Sequence, residues 1–395
     1  MKTPSYIVPL LLLLSLSVAC VQPPAEMPET ESRALGFFPA GDGRYCILAL
    51  KSVRSADNYD YEDSLMFVHV DTAGSVLESY AYPFEYRPNI DLLSVLPNGN
   101  VLLYGNLGTL YYMRSLWEMS LQGELLRNWD TGDYLTGMIP SQDGNIVLFG
   151  NNYEEEEDRL SCIKLSPAGD TLWQRLYPKR HDEYILGGIP LSDNGFLALG
   201  TARTRNWSTD MLAVRFNASG DTLWARSYGG DRYDRVNFAE ELSDGSLLLA
   251  GELNVTDTTN TDWGLNSGEQ VYLVKISGDG ETQWTQALGN TLRESPNALA
   301  ECSDGNYIYA ATRSESYVYL FDETQAIVCK TNTAGHVLWQ AELDSRVPAG
   351  LQELESGEFL VAATELVESY QYGSALHVIK LSPSGTLLSD TALIP

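Results

Sequence analysis

Six arginines recur just ahead of apolar runs: Arg87, Arg180, Arg232, Arg235, Arg293 and Arg346. A guanidinium presents a rigid fork of donors that fits a carboxylate, so such a set, gathered on one side, would hold a carboxylate or an anionic sugar. His181 adds a group that titrates near neutrality beside Arg180. Acidic neighbours, among them Asp182, Asp231, Asp234 and Glu294, compete for the same arginines as loop ion pairs. A second set is aromatic. Tyr112, Trp207 and Trp263 lie in polar segments, as do Tyr59, Tyr61, Tyr111, Trp117, Tyr153, Tyr317, Tyr319, Phe321, Tyr370 and Tyr372. Exposed Tyr and Trp favour protein interfaces, and their flat faces suit a sugar ring.

Catalytic chemistry is thinly represented. His69, His181, His336 and His377 are scattered, and one His near the arginines does not make a catalytic set. There is no GxSxG, HExxH or phosphate loop. The acidic runs "YEEEEDR" and "NYDYED" lack the alternation of a calcium loop, so they are expected to be solvated loops. An enzyme reading would need Asp133, Asp182, Glu183 or Asp234 to converge with a second group, and no pairing is legible. No cofactor, no metal and no enzymatic activity are expected.

The elements that must position these residues are written as a repeat. "SPAGDTLWQRLY" comes back as "NASGDTLWARSY", "SGDGETQWTQAL" and "NTAGHVLWQAE". The turn glycines Gly74, Gly123, Gly169, Gly220, Gly280, Gly335 and Gly385 stand between 46 and 60 residues apart. A second series, Gly43, Gly99, Gly144, Gly195, Gly245, Gly305 and Gly357, gives the same count of seven. Each unit reads as four short strands, a to d, bounded by Gly, Asn, Asp and Ser. Four-stranded units repeated radially predict an all-β, seven-bladed β-propeller over residues 34–395. Trp173, Trp224, Trp284 and Trp339 each stand four residues after a turn glycine, one place on strand d, and are expected to wedge against the neighbouring blade. Glu78, Arg127 and Ser389 replace them in blades one, two and seven, where packing must differ.

The blade "MLAVRFNASGDTLWARSYGGDRYDRVNFAEELSDGSLLLAG" resembles the secreted bacterial propeller repeats of the "YGG…DGGY…G.T…K…G…LW" type. It is also similar to pyrroloquinoline-quinone propeller repeats and, more loosely, to WD and kelch repeats. The resemblance implies the fold over nearly the whole mature chain. It implies little about function, since one fold hosts many activities. The ligand set of the quinone dehydrogenases has no counterpart here.

The first residues, "MKTPSYIVPLLLLLSLSVAC", carry an apolar run too short to span a bilayer and read as a signal peptide over 1–19. "LSVAC" resembles the lipobox of bacterial lipoproteins, which implies acylation of Cys20. Residues 20–33, "VQPPAEMPETES" included, are expected to form a flexible lipidated tether. The net charge of −28 makes nucleic acid an unfavourable partner. Cys46, Cys162, Cys302 and Cys329 lie in apolar runs without metal-type spacing and are expected to be buried small hydrophobes.

In such a unit the a–b and c–d connections leave one face, and the b–c and d–a connections the other. The first set is tight ("PNG", "QDG", "SPAG"). The second is long and varied ("NVTDTTNTDWGLNSGE", "YGGDRYDRVN"). If strand a is innermost, the arginines ring the mouth of the central channel. The expected molecule is therefore a monomeric, non-catalytic envelope lipoprotein, held to the membrane by lipid alone, probing a protein or glycan with its elaborated face. An outer-membrane assembly factor and a propeller-type polysaccharide hydrolase or lyase are the alternatives.

Overall fold

The computed structural model describes residues 30–54, 61–107, 114–130, 135–152, 159–178, 183–203, 208–230, 232–256, 267–289, 293–314, 324–366 and 373–394. These form seven four-stranded antiparallel sheets, each made of strands consecutive in sequence. Blade 1 contains β1 (Thr30–Gly41), β2 (Arg44–Arg54), β3 (Tyr61–Val70) and β4 (Val76–Pro83). The sequence places residues 30–33 in the tether; in the fold Thr30 pairs with Val53, and β1 carries its ladder through those residues. Blades 2 to 7 open at Asn89, Leu135, Glu183, Arg235, Arg293 and Arg346.

The first strand of each blade is innermost. First strands of neighbouring blades lie against one another, and a Cβ on Gly137 would meet the Gly187 backbone at 3.1 Å. Strand d is outermost and alternates between exposed and half-buried positions, as an edge strand must. The core is correspondingly divided. Seven apolar clusters each fill one interface between adjacent blades, for example Phe67, Leu103 and Met119 between blades 1 and 2. The ring closes in the same way: Phe37, Ile47 and Val68 of blade 1 pack on Leu360, Ala362 and Val378 of blade 7, and the Ala34 amide donates to Thr364 Oγ1 at 2.9 Å. The four cysteines are unpaired thiols inside this core, and burial pushes each above its ordinary pKa.

The turns repeat except in two a–b hairpins: blade 1 closes on the two residues Asp42 and Gly43, with φ of 52° and 70°, and blade 4 shifts register. In each c–d hairpin the glycine takes a positive φ, between 77° and 91°. Its amide closes a three-residue turn, as in Gly335 N–H to Asn332 O at 2.9 Å. The a–b hairpins do the same at Gly99, Gly144, Gly245, Gly305 and Gly357. In blade 4 the left-handed residue is Asn194 (φ 64°), not Gly195, which stands one place later. Asn tolerates this conformation better than other residues with a side chain, because its amide bonds locally.

The repeated Trp lies over the c–d glycine of the next blade. A Cβ added to Gly220 would come within 2.9 Å of Trp173, and one added to Gly335 within 2.8 Å of Trp284. Trp224 and Trp339 also donate their indole N–H groups across the interface, to Gly278 O and Pro383 O, both at 3.0 Å. Blade 2 uses Trp129, two residues beyond Arg127, against Gly169, and blade 7 uses Val378 against Gly74. The glycine is thus required twice: for its φ and for the space its missing Cβ leaves.

Candidate functional site

The rim of tight turns uses its charges internally. Strand c presents a basic residue to the acid of its own a–b turn: Lys164 to Asp143 at 3.1 Å, Arg215 to Asp193 at 2.8 Å, Lys275 to Asp244 at 3.0 Å, Lys330 to Asp304 at 2.8 Å. The turns are also clasped between blades. Glu301 receives both the amide and the hydroxyl of Ser243 at 2.8 Å, and Glu241 and Glu353 hold Ser192 and Ser303 likewise. This rim is built for rigidity.

The opposite rim carries the starts of strands a and c and the ends of b and d. Arg235, Arg293 and Arg346 begin their first strands there, and all three forks are engaged. Arg235 donates to Glu252 through Nε at 3.1 Å and Nη2 at 2.6 Å. Arg293 reaches back to Glu269 of blade 5 at 2.5 Å. Arg346 holds Glu365 at 2.9 Å and Asp390 at 3.2 Å. Burial, then the charge of Glu252, pushes the Glu269 carboxyl above its ordinary range, and Arg293 and Arg235 pull against them. Their partners are strand carboxylates rather than the loop acids suggested by sequence proximity. The arginines are accordingly part of a charge-compensated lattice, and ligand capture by these three would require breaking it.

That lattice has a position of its own. Arg235 pairs directly with Glu252, and Arg346 with Glu365, each at the elaborated end of the a–b ladder. In blade 6 the rung that matches Arg346–Glu365 holds Glu294 opposite Arg313, the polarity reversed, at 2.7 Å and almost fully buried, while Arg235–Glu252 of blade 5 stands one rung nearer the bulge. The turn glycines mark the match: Glu365 of "ATEL" and Arg313 of "ATRS" each stand eight residues after theirs, Gly357 and Gly305, whereas Glu252 of "AGEL" stands seven after Gly245.

Arg87 and Arg232 differ. Arg87 is half exposed, 3.9 Å from Glu31 and over the ring of Tyr61 at 5.8 Å. Arg232 is exposed, and Tyr233 beside it is 64% exposed. Tyr86 and Tyr184 are further exposed aromatics of the same rim, at 48% and 45%. Among the described residues these tyrosines are what the sequence reading passed over; their signal is a Tyr beside a charged residue in the d–a connections. Two sequence assignments are corrected. Trp117 is no loop aromatic: it lies in β7 (Ser115–Met119), buried against Tyr82 and Phe84. Asp234 is not free for chemistry: it is fully buried and accepts the amides of Gly230 at 2.5 Å and Asn254 at 3.0 Å. Arg180, His181, Tyr112, Trp207, Trp263, Cys20, Asp133 and Asp182 lie outside the described residues.

No protein-family model matches this chain, and no curated protein does. Among solved structures it is similar to the β-propeller domain of the Trilobed protease from Pyrococcus furiosus. That match has 9% identity and a TM-score of 0.51, and it covers 92% of this chain and 98% of that one. It is also similar to an acylaminoacyl peptidase from Pyrococcus horikoshii, at 10% identity and a TM-score of 0.51, covering 91% of this chain and 52% of that one. A protein of unknown function from Dyadobacter fermentans matches at 12% identity and a TM-score of 0.45, over 90% of this chain and 95% of that one. At such identities the likeness is one of fold.

Proposed function

We propose that this protein is a lipid-anchored, non-catalytic recognition scaffold of the bacterial envelope. Its ligand is a protein or glycan met by the rim of long connections. The observation that carries the reading is the difference between the rims. One is closed by tight turns whose acids pair with strand c of their own blade and whose serine hydroxyls are held by a neighbouring blade. The other leaves Tyr184 exposed at the start of a strand and Tyr86, Arg232 and Tyr233 exposed in the d–a connections. Tyr and Arg are the residue types that dominate binding hot spots. Exposed tyrosines favour a protein ligand, because their hydroxyls and rings serve polar and apolar contacts together.

The test is retention of a partner from envelope extracts by the mature domain. Replacing Tyr86, Tyr184 and Tyr233 together by Ala is expected to abolish retention, while Ser243→Ala on the smooth rim leaves it intact. Full retention by the triple variant overturns the proposal. Selective capture on an array of acidic and neutral sugars would assign the ligand to the glycan class.

A further inference from the structure

We infer that the elaborated rim is held toward the membrane bearing the anchor, and that its partner is the extramembrane loops of an integral membrane protein. The inference rests on acylation at Cys20 and on the recognition reading above. Its basis is where the chain enters the ring. β1 starts at Thr30, which pairs with Val53 at the end of β2, so the entry point is on the elaborated rim. It is also on the innermost strand. With β2 it forms the longest hairpin among the described residues, of 12 and 11 residues.

Ten peptide steps separate Cys20 from Thr30, which at full extension cover at most ~36 Å. To turn the smooth rim to the bilayer, this segment would have to cross a blade and descend its outer edge. Crossing from strand a to strand d takes ~14 Å, and descending eight residues of strand takes ~26 Å. The path exceeds the reach of the fully extended chain before any side-chain thickness is counted. Even at the ~3.1 Å per residue of a Pro-rich linker, ten steps reach only ~31 Å, short of that path, which keeps the start of β1, and the rim with it, on the side of the lipid. A net charge of −28 gives no attraction to anionic headgroups, so the lipid itself is not the ligand. What reaches a Tyr- and Arg-bearing surface in that layer is the loops of proteins embedded in the same bilayer.

Tyr233 and Leu223 separate the alternatives. Both are exposed, at 64% and 54%, one on each rim near blade 4. The native cysteines of the ring are buried, so a dye reacts only at Tyr233→Cys or Leu223→Cys. The acylated full-length chain is reconstituted into phosphatidylcholine vesicles containing headgroup nitroxide lipid. Quenching is expected to be at least about twofold greater at 233 than at 223. Inserting about 30 Gly/Ser residues before Thr30 is expected to erase the difference. Equal or reversed quenching in the native chain overturns the orientation. In intact cells, a benzoylphenylalanine photocrosslinker at 86 or 233 is expected to yield an adduct that stays in the bilayer after alkaline carbonate extraction. Adducts with soluble or peripheral proteins alone overturn the partner assignment. Rim-down quenching with no adduct at all removes the recognition reading while the orientation stands.

Discussion

Gly305 and Gly335 close the two hairpins at the smooth rim of blade 6 with the same φ, 79°. They differ in what surrounds them. Nothing lies within 4 Å of a Cβ added at 305, whereas one at 335 would meet Cζ3 of Trp284 at 2.8 Å and Cβ of Gln286 at 3.1 Å. Substituting Ala at 305 therefore exacts only the left-handed backbone penalty, ~1–2 kcal/mol. At 335 the same penalty is joined by overpacking of ~1–3 kcal/mol, so Gly335→Ala is expected to cost ~2–5 kcal/mol in all. In a Trp284→Ala background the shortest contact is gone and that with Gln286 Cβ remains, so the cost at 335 should fall toward that at 305. The resulting coupling of at least ~1 kcal/mol is within reach of a double-mutant cycle. Urea unfolding followed by circular dichroism, with m-values compared across the four chains, gives the numbers. Equal costs at the two glycines, or a cost at 335 indifferent to Trp284, would refute the docking role assigned to the indole.

Three further outcomes follow from the lattice and the turns. Glu294→Ala takes the Nε partner from the buried Arg313 and leaves it Glu342 alone, at 2.7 Å, so it is expected to cost up to ~3 kcal/mol; the exchange Glu294→Arg with Arg313→Glu should recover part of that loss in urea midpoints, because blade 7 already runs with that polarity at the matching rung. Burial, then the charge of Glu301, raises Glu240 to about 8, so the folded chain keeps a proton that the unfolded chain releases above its ordinary 4.5. Stability should fall as pH rises between those values by up to ~1.4 kcal/mol per unit, and Glu240→Gln should flatten that limb of a pH series of urea midpoints. Asp244 runs the other way, lowered to about 2 by the Ser246 hydroxyl first and by Lys275 after it; its contribution is present above pH 3.8, is lost as pH falls toward 2, and should vanish from the acid limb of Asp244→Asn.

The architecture was legible because its signals are local and recur. A left-handed turn residue needs Gly or Asn wherever a hairpin closes, so seven c–d glycines report seven blades whatever lies between them. The same logic misplaced one residue: in "SDNG" both Asn194 and Gly195 can take positive φ, and the hairpin uses Asn194. Trp129 escaped notice because strand side chains alternate, and a Trp two places on reaches the same face as one at the usual position. The rim was harder. An arginine at the start of a strand has partners set by cross-strand and cross-blade register, which sequence distance does not encode. Arg293 takes Glu269, 24 residues back, and Arg346 takes Asp390, 44 residues on. Trp117 was misread because blade 2 starts strand c only at Ser115, within what looked like a loop.

The entry of the chain on the innermost strand has a mechanical side. A pull on the N-terminus, directed along the ring axis, loads β1 lengthwise against β2 through ten paired positions that must slip together. The same pull on an outer strand would peel one pair after another. Force carried by a terminal anchor thus enters where the sheet resists sliding best.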